Sequence, residues 1–288
     1  MHYLDDLHEH IAPLAAALHR RVLSRSHPLL VGINGCQGSG KSTLAQFLAA
    51  VLHIGAGLRS VVLSIDDFYL EKSKRRQLSS DVHPLLLTRG VPGTHDLDRA
   101  HRILDQLSDR SRVKAVRLPG FDKSTDDCRL PGDCPSVAAN PDLIILEGWC
   151  VGCPPQSVED LCAPVNSLES EEDADGTWRH YVNDQLSQSY QPFFKRLNLL
   201  IMLVAPDFDC VPGWRQQQEQ ELIATRKASS SSAMESSDLQ SEYALRRFIN
   251  HYERLTKHQL KVLPPLADAV IELGRDHRMM AHSGGLYT

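Results

Sequence analysis

The chain has 288 residues, 42% of them hydrophobic, with a formal net charge of −5 and a pI of about 6.3. This composition is that of a globular protein and disfavours general nucleic-acid binding, which needs a basic surface. The acidic start lacks the apolar core of a secretory signal, and no apolar run approaches the roughly 18 residues of a membrane span. We therefore expect a soluble cytoplasmic protein that binds neither nucleic acid nor membrane. Its oligomeric state, monomer or dimer, stays open.

Apolar runs and helical patterns alternate along the chain. A helical pattern over Tyr3–Ser24, kinked or divided by Pro13, predicts a covering helix. Helices are also predicted over Lys41–Leu52 and Leu97–Leu107, and strands at PLLVGING, SVVLSIDDF, DLIILEGW, LNLLIMLV and ADAVIEL. Apolar runs without strict alternation, separated by helices, indicate a parallel sheet that is covered on both faces. We therefore predict an α/β fold with a doubly wound, mostly parallel sheet.

Two segments differ in composition from the rest of the chain. Asn166–Gly176 is acidic and predicts a surface loop, whereas Ala228–Ser241 is rich in serine and predicts a mobile segment. The Ser-rich segment lies between two helical stretches, Trp214–Lys227 and Glu242–Lys257, which predicts either a helical lid or a neutral insertion. We predict one domain with these parts: N-terminal covering helix, 1–28; core, 29–165; acidic insert, 166–180; core helix and strand, 181–213; lid region, 214–257; C-terminal strand and tail, 258–288.

The segment GCQGSGKST fits the phosphate-loop pattern GxxxxGK[ST] at every fixed position. It follows an apolar strand and opens a helix, which is the context that this motif requires; the alternative is a glycine-rich turn with a chance lysine. Glycines let successive N–H groups point inward, and the helix N-terminus adds the positive end of its dipole. Lys41 is expected to place its charge at the β- and γ-phosphates and so to act in catalysis. We predict that a nucleotide is bound by Gly35, Cys36, Gln37, Gly38, Ser39, Gly40, Lys41, Ser42 and Thr43.

The chain contains seven cysteines, and their placement permits two interpretations. Cys150 and Cys153 form a CxxC with Cys128 and Cys134 upstream, which would suit zinc, although the spacing of the upstream pair is poor for a zinc knuckle. Reduced thiols in loops are the favoured alternative, and redox activity of the CxxC stays open. Cys36 lies inside the phosphate loop, so a thiol reagent is expected to block nucleotide binding unless its side chain points away.

A magnesium site is expected beside the phosphate loop, because such loops bind a nucleotide together with its metal ion. Ser42 offers its hydroxyl, and Glu147 closes the apolar run LIIL, where the second metal-binding acid belongs. The alternative for Glu147 is a strand-end glutamate that faces solvent. Gly148 follows it and is expected to leave room for the nucleotide.

Features outside the loop indicate what happens to the phosphate. The chain lacks both the N/T-K-x-D guanine motif of GTPases and a fitting LSGGQ segment of ABC-type ATPases. The run SIDDFYL ends a predicted strand with two aspartates, and the carboxyl ends of parallel strands face the ligand crevice. Asp66 is therefore the candidate catalytic base, which would accept the proton of an attacking hydroxyl on a second substrate. Alternatively, Asp66 or Asp67 caps the segment that follows.

The combination of these motifs resembles a known family. The matching stretches lie between about Leu29 and Val270 and are LSIDDFYL, TRGVPGTHDL, LPGFDKSTDDCR, ILEGWCVG and GWRQQQE. Together they are similar to the P-loop small-molecule kinases, which include uridine kinase, phosphoribulokinase and bacterial pantothenate kinase, and most of all to the D-glycerate 3-kinase family. The resemblance implies the P-loop NTPase fold with a helical lid, and a kinase that uses ATP and Mg²⁺.

The resemblance further implies transfer of the γ-phosphate to a hydroxyl of a small metabolite. The leading candidate is D-glycerate, which would give 3-phosphoglycerate. Two alternatives stay open. One is a kinase of the same group that acts on a nucleoside, a pantothenate-like compound or a sugar, and the other is a nucleotide-binding regulatory ATPase.

Glycerate is a small anion, so its pocket needs cationic or N–H donors near the γ-phosphate. Arg89, His95 and Lys123 lie in the matched stretches and are the candidates for this task. Asp96 and Asp122 are the candidates for holding a substrate hydroxyl. The alternatives are surface positions for the three donors, a helix cap for Asp96, and an orienting contact to Lys123 for Asp122.

Arg215, in GWRQQQE, is the candidate lid arginine, with Arg226 in reserve. In related kinases such an arginine closes on the transferring phosphate, where positive charge counts most. The alternative is an exposed helix arginine. Trp214 beside it is expected to pack either the hinge of the lid or the adenine ring.

Overall fold

The computed structural model describes residues 6–229 and 242–287, and the structural statements below concern that part of the chain. Its helices are α1 (Ala12–Leu23), α2 (Lys41–Ala56), α3 (Lys72–Asp81), α4 (Leu97–Ser108), α5 (Ser167–Glu172), α6 (Thr177–Gln185), α7 (Gln191–Phe194), α8 (Cys210–Ser229) and α9 (Glu242–Val262). Its strands are β1 (Leu29–Gly35), β2 (Ser60–Ser64), β3 (Val116–Arg117), β4 (Phe121–Asp122), β5 (Asp127–Cys128), β6 (Ser136–Val137), β7 (Leu143–Gly148), β8 (Leu199–Val204), β9 (Ala269–Leu273) and β10 (Met279–Ser283).

The main sheet of the described residues has the strand order β10-β9-β8-β1-β7-β2. The strands β2, β7, β1, β8 and β9 are parallel, and β10 pairs with β9 in the antiparallel sense at one edge. Two short antiparallel pairs, β3 with β6 and β4 with β5, lie apart from this sheet. The prediction of a doubly wound, mostly parallel α/β sheet is confirmed.

Helices cover both faces of the sheet, which explains why the strands are apolar without alternation. Along β7, Leu143 and Ile145 pack in one core cluster with side chains of α1 and α2, whereas Ile144 and Leu146 pack in a second cluster with side chains of α4, α6 and α7. Helix α9 contributes side chains to both clusters. Because five strands of the sheet are parallel, their carboxyl ends meet at one edge, and the loops that follow them lie next to each other.

The predicted N-terminal helix consists of two pieces. A π-helical turn over Leu7–Ile11 precedes α1, and Pro13 lies in the first turn of α1, where its missing N–H breaks no hydrogen bond. Tyr3, the 230–241 part of the Ser-rich segment and the side chain of Arg226 lie outside the described residues. Among the described residues, no helix has the length and apolar character that a bilayer span requires.

The prediction of a surface loop at Asn166–Gly176 is wrong. The segment contains helix α5, and two of its acids are buried because arginines neutralise them. Glu169 forms a two-pronged ion pair with Arg254 of α9, at 2.8 and 2.6 Å, and Asp173 binds Arg179 of α6 at 3.0 Å. The acidic insert therefore anchors α9 to the body of the protein.

Candidate active site

The phosphate loop connects the end of β1 to the start of α2. Gly38 and Gly40 have φ angles of 78° and 83°, in the left-handed region that glycine adopts readily. A side chain at Gly38 would also lie 2.7 Å from Cβ of Trp214 and 2.9 Å from its backbone carbon, so this position needs glycine for space as well. The result is a curled loop at a helix N-terminus, whose backbone N–H groups can bind phosphate oxygens.

Two side chains of the loop point into the protein interior. Cys36 is 2% exposed and packs in the core cluster that contains α1 and α2, and its burial raises the pKa of its thiol to about 12. Ser39 is also fully buried. Both residues can therefore contact a nucleotide only through their backbone. Burial of Cys36 and the raised pKa of its thiol favour the alternative in which its side chain points away from the nucleotide, and the effect of a thiol reagent stays a prediction.

The predicted magnesium ligands lie side by side. Strand β7 pairs with β1 so that Glu147 is next to Ile33, and the Ser42 hydroxyl of α2 donates to Glu147 Oε1 at 2.8 Å. Glu147 is 4% exposed, so the solvent-facing alternative is wrong. Its other oxygen, Oε2, is buried and has no hydrogen-bond partner among the described residues. A buried carboxylate oxygen beside a hydroxyl fits Mg²⁺, which binds oxygen ligands.

Gly148 has a packing role that the sequence did not indicate. A side chain on Gly148 would lie 2.4 Å from Cγ2 of Ile65, in the 3-10 turn Ile65–Phe68 that follows β2. Glycine at this position therefore allows the turn to pack closely against the end of β7. This contact brings the strand of Glu147 and the turn of the candidate base together.

Asp66, the candidate base, lies in that turn. Tyr69 donates its hydroxyl to Asp66 Oδ1 at 2.6 Å, and Lys123 Nζ lies 3.0 Å from Oδ2. Burial alone would raise the pKa of Asp66, but Lys123, Lys41 and the Tyr69 hydrogen bond outweigh burial and hold the pKa well below its usual range. The effect of Lys41 indicates that the phosphate-loop lysine and this carboxylate face the same crevice. Asp66 is therefore ionised at neutral pH and able to accept a proton.

Asp67 adds a third carboxylate to the crevice, and sequence reasoning missed it as a site residue. Ser64 caps the turn by accepting the Asp66 N–H at 3.3 Å, so a cap by either aspartate is wrong. Asp67 Oδ1 instead accepts the Phe121 N–H at 3.3 Å. Burial raises the pKa of Asp67 to about 6, and the charges of Asp66 and Glu147 add to this rise. The carboxylates of the crevice thus differ widely in basicity.

Backbone pairing joins the GTHDL segment to the SIDDFYL segment. Tyr69 and His95 form an antiparallel bridge, and the Asp96 N–H donates to the Phe68 carbonyl at 2.7 Å. The ring centroids of Tyr69 and His95 are 4.8 Å apart. Two motifs that are separate in the sequence therefore form one wall of the crevice.

The His95 ring contacts the buried hydroxyl of Tyr190. The Gly93 N–H donates to the Tyr190 hydroxyl at 3.0 Å, and this hydroxyl lies 2.6 Å from His95 Nδ1. The hydroxyl can donate its own proton to Nδ1, and in that tautomer the ring proton is on Nε2. Burial lowers the pKa of His95 to about 4, although the Asp66 charge opposes this shift. Nε2 is buried without a partner among the described residues, so its N–H is available to an oxygen acceptor.

A buried arginine that sequence reasoning missed holds the loops on the acceptor side. Arg75 is fully buried, binds Asp126 Oδ2 at 3.0 Å and donates to the backbone carbonyls of Leu70, Leu87 and Asp126. The candidate Arg89 pairs with the same Asp126. In the sequence KSKRRQL, Arg75 is one of four neighbouring basic residues, and no pattern marks it as the one that turns inward.

The two acidic candidates on the acceptor side bind within their own loops. Asp96 Oδ1 accepts the Arg99 N–H at 2.9 Å and so caps α4, as the alternative from the sequence stated. Asp122 Oδ1 accepts the N–H and the hydroxyl of Ser124 at 2.9 and 2.6 Å, and these bonds lower its pKa. Lys123 binds the candidate base instead of Asp122. A contact between either aspartate and a substrate hydroxyl stays a prediction.

Trp214 and Arg215 are neighbours on α8 with different surroundings. Trp214 is 4% exposed and stacks on the His277 ring at 4.3 Å, so it packs the base of α8 against the phosphate loop and cannot cover an adenine ring. Arg215 donates to the Gln218 side chain at 2.8 Å, and its guanidinium carbon lies 5.9 Å from the centre of the Phe248 ring. A movement of Arg215 to the phosphate stays a prediction.

The zinc interpretation is not supported. Among the described residues, no group of three or more His, Cys, Asp and Glu side chains is arranged to bind a metal ion. Cys150 and Cys153 are fully buried in the apolar cluster that contains α4, α6 and α7, and burial raises the pKa of both thiols. The seven cysteines are free thiols.

Comparison with known proteins gives sequence relatives along most of the chain, although no protein-family model matches it. The chain is 31% identical over 245 residues to the uncharacterized kinase mug58 of Schizosaccharomyces pombe, and the match covers 82% of each protein. It is 33% identical over 211 residues to the probable ATP-dependent kinase TDA10 of Saccharomyces cerevisiae, covering 68% of this chain and 69% of that protein.

A solved structure supports the same relationship. The D-glycerate 3-kinase of Cryptococcus neoformans var. grubii matches with a TM-score of 0.74 and 25% identity, over 95% of this chain and 97% of that one. The resemblance indicated by the sequence motifs is therefore confirmed at the level of the family. This chain belongs to the P-loop small-molecule kinases of the uridine kinase, pantothenate kinase and phosphoribulokinase group.

Proposed function

We propose that this kinase transfers the γ-phosphate of ATP to D-glycerate and produces 3-phosphoglycerate. The observation that carries the proposal is the position of the ionised Asp66 carboxylate, which interacts with both Lys41 of the phosphate loop and Lys123. A carboxylate there suits an alcohol acceptor, and the cations around it suit an acceptor that is itself an anion. The similarity to a D-glycerate 3-kinase over nearly the whole chain supports glycerate as this acceptor.

On the nucleotide side, Lys41 and the N–H groups of residues 35–43 bind the β- and γ-phosphates. Ser42 and Glu147 would hold Mg²⁺, which when bound neutralises charge on the phosphate oxygens. The buried and unpartnered Glu147 Oε2 supports this assignment.

Transfer proceeds as an in-line displacement. The acceptor hydroxyl oxygen forms a bond to the γ-phosphorus while the bond from that phosphorus to the β,γ-bridging oxygen breaks. The hydroxyl proton passes to a carboxylate oxygen of Asp66, and the bridging oxygen leaves as part of ADP. Because the transition state is loose, Asp66 serves first to orient the hydroxyl, and its low pKa is compatible with late proton transfer.

On the acceptor side, Arg89, Lys123 and the Nε2–H of His95 bind the carboxylate of glycerate. Lys123 is 53% exposed at its side chain and has three N–H donors, so it can contact Asp66 and the acceptor together. Asp96 and Asp122 bind the second hydroxyl through the carboxylate oxygens that do not accept the loop N–H groups. A neutral His95 donates without adding charge, which keeps this contact independent of pH above about 4.

Arg215 supplies further positive charge to the transferring phosphate. It follows Trp214, which is packed in the core, so we assign its approach to rotation of its own side chain. Ile249 and Tyr252 of α9 are also buried in the core, and we therefore assign the second half of the predicted lid region 214–257 to the body of the single domain.

The test is ATP consumption with D-glycerate, uridine, pantothenate and ribulose 5-phosphate, with the products identified by ³¹P NMR. Turnover with D-glycerate alone and a product phosphorylated at its 3-hydroxyl is the expected result. Turnover with another compound and none with glycerate would exclude the glycerate assignment but leave the kinase assignment intact. Thermal stabilisation by ATP without a response to any acceptor would instead favour a regulatory ATPase.

A further inference from the structure

Four arginines line an open groove that the kinase chemistry does not use. The groove has a volume of about 570 Å³, and its polar lining consists of Arg99, Arg102, Gln106, Arg112, Arg117 and Ser136. These residues come from three places in the fold: one face of α4, the loop after α4, and the paired strands β3 and β6. None of the candidate nucleotide, metal or acceptor residues lines this groove.

Helix α4 contributes two arginines to the lining of the groove and neither of its two aspartates. Arg99, Arg102 and Gln106 are spaced three and four residues apart, so they lie along one face of the helix. Asp105 forms an ion pair with Arg196 at 2.7 Å, and neither residue lines the groove. In the loop after α4, a contact with the backbone holds the Arg112 side chain, since its Nε donates to the Lys114 carbonyl at 3.1 Å.

The positive charge of this groove is poorly compensated by the protein. No ion pair among the described residues involves Arg99, Arg102 or Arg117, and no Asp or Glu side chain of these residues lines the groove. The nearby Asp109 accepts a hydrogen bond from Ser111. The hydrogen bonds from Ser111 lower the pKa of Asp109, and the charge of Arg112 has a smaller effect. Because the whole chain carries −5, this cluster is not a consequence of a generally basic surface. Positive charges that are held close together favour the binding of an anion.

We propose that this groove binds a small molecule that carries more than one phosphate group. Guanidinium groups form paired hydrogen bonds with phosphate oxygens, and four of them can bind several such groups at once. The groove volume lies in the range of small-molecule sites. Its lining residues in the described part of the chain include no aromatic side chain, so recognition rests on the phosphates and not on a stacked base. A long polyanion is disfavoured by the net charge of −5 that the whole chain carries.

Calorimetric titration with inorganic tripolyphosphate tests the proposal. The protein is first saturated with Mg²⁺ and a non-hydrolysable ATP analogue, so that the phosphate loop is occupied. We expect one further binding site. The double variant Arg102→Gln/Arg117→Gln should weaken this binding at least tenfold and leave the affinity for the ATP analogue unchanged. The matched control Arg20→Gln/Arg21→Gln removes the same charge from exposed positions of α1 and should bind tripolyphosphate like the unmodified chain.

Three results would overturn the proposal. These are the absence of binding to the saturated protein, an equal loss of affinity in both double variants, and tighter binding of single-stranded RNA that competes with tripolyphosphate. The last result would identify a nucleic-acid surface. If the double variant does not fold, the single variant Arg99→Gln takes its place, with a loss of affinity again expected. The experiment needs no turnover, so its outcome is independent of the acceptor that the kinase uses.

Discussion

The nucleotide side and the acceptor side of the crevice are built in different ways. The nucleotide side is one continuous segment between β1 and α2, joined by Glu147 from the neighbouring strand, and it depends on backbone geometry within regular elements. The acceptor side combines the 64–70, 89–96 and 121–127 loops, which buried side chains tie together. A phosphate site can thus be formed by residues that are close in the sequence, whereas this acceptor pocket depends on contacts between distant residues.

The largest effect is expected where the two sides meet, at Asp66. Asp66→Asn should lower kcat about 10²- to 10⁴-fold and leave ATP affinity unchanged, because asparagine keeps the shape but cannot take the proton. Steady-state kinetics and calorimetry with ATP measure the two quantities. The control is Asp109→Asn. Asp109 is exposed and accepts a hydrogen bond from the Ser111 hydroxyl, as Asp66 does from the Tyr69 hydroxyl. Near-normal turnover of Asp66→Asn would show that Asp66 is not the base.

Arg75→Met tests whether the acceptor side depends on buried charge. Removal of this guanidinium leaves the backbone carbonyls of Leu70, Leu87 and Asp126 without this donor. It also takes one of two arginine partners from the Asp126 carboxylate, which keeps Arg89. We therefore expect the free energy of unfolding to fall by about 3–5 kcal/mol. Urea denaturation measures this change. The exposed neighbour provides the control, since Arg76→Met should cost less than about 0.5 kcal/mol. Equal effects of the two substitutions would contradict the role of Arg75.

Asp67→Asn should change stability in a pH-dependent way. Its pKa is raised from 3.8 to about 6 in the folded protein, so between these values the native state binds a proton that the unfolded chain has lost. Stability therefore falls as the pH rises through this window, by up to about 3 kcal/mol. Asparagine cannot ionise and so removes this loss of stability. The variant should therefore be more stable than the unmodified protein above pH 6, whereas below about pH 4 the two proteins should not differ for this reason. Thermal unfolding across this range measures the difference, and a gain independent of pH would contradict the explanation.

Tyr190→Phe tests a positioning residue on the acceptor side. Loss of the hydroxyl removes the bond that orients the His95 ring, so we expect the KM for the acceptor to rise roughly three- to tenfold, as for one lost hydrogen bond. The KM for ATP and kcat should stay unchanged, which a general loss of folding would not produce. Kinetics with each substrate varied in turn gives the three constants. A rise in the KM for ATP of the same size would contradict a role confined to the acceptor.

The smallest effect is expected on the nucleotide side, at Cys36. Treatment of the folded protein with iodoacetamide at neutral pH should leave Cys36 unmodified and ATP affinity unchanged, because burial raises the pKa of its thiol to about 12. The exposed Cys162 serves as an internal reference for the reaction. Mass spectrometry of the digested protein measures both. Modification of Cys36 at the rate of Cys162 would show that the loop opens.

Sequence reasoning predicted the regular elements well, because apolar runs and helical spacing are local signals. The helix predicted over Leu97–Leu107 is observed at Leu97–Ser108 as α4, and the apolar run LIIL is the buried strand β7. The prediction from the sequence failed at Asn166–Gly176. Two acids of this segment are buried in ion pairs with Arg254 and Arg179, and the composition of the segment cannot indicate these partners.

The missed site residues share one property. Tyr190 acts on His95 from 95 residues away, and Arg75 binds Asp126 from 51 residues away. Asp67 differs from its neighbour Asp66 only in what surrounds it. No spacing rule connects such residues, because the folded chain and not the local sequence brings them together.

The phosphate loop, the candidate metal-binding glutamate, the main strands of the sheet and the family of the protein could all be predicted from the sequence. Each of these depends on residues that are close in the chain or on apolar patterns that recur along it. The folded structure was needed to show which charges are buried and which aspartate has a lowered or a raised pKa. The physical reason is that desolvation and hydrogen bonding depend on neighbours in space. The crevice and the arginine groove both acquire their chemistry from such neighbours.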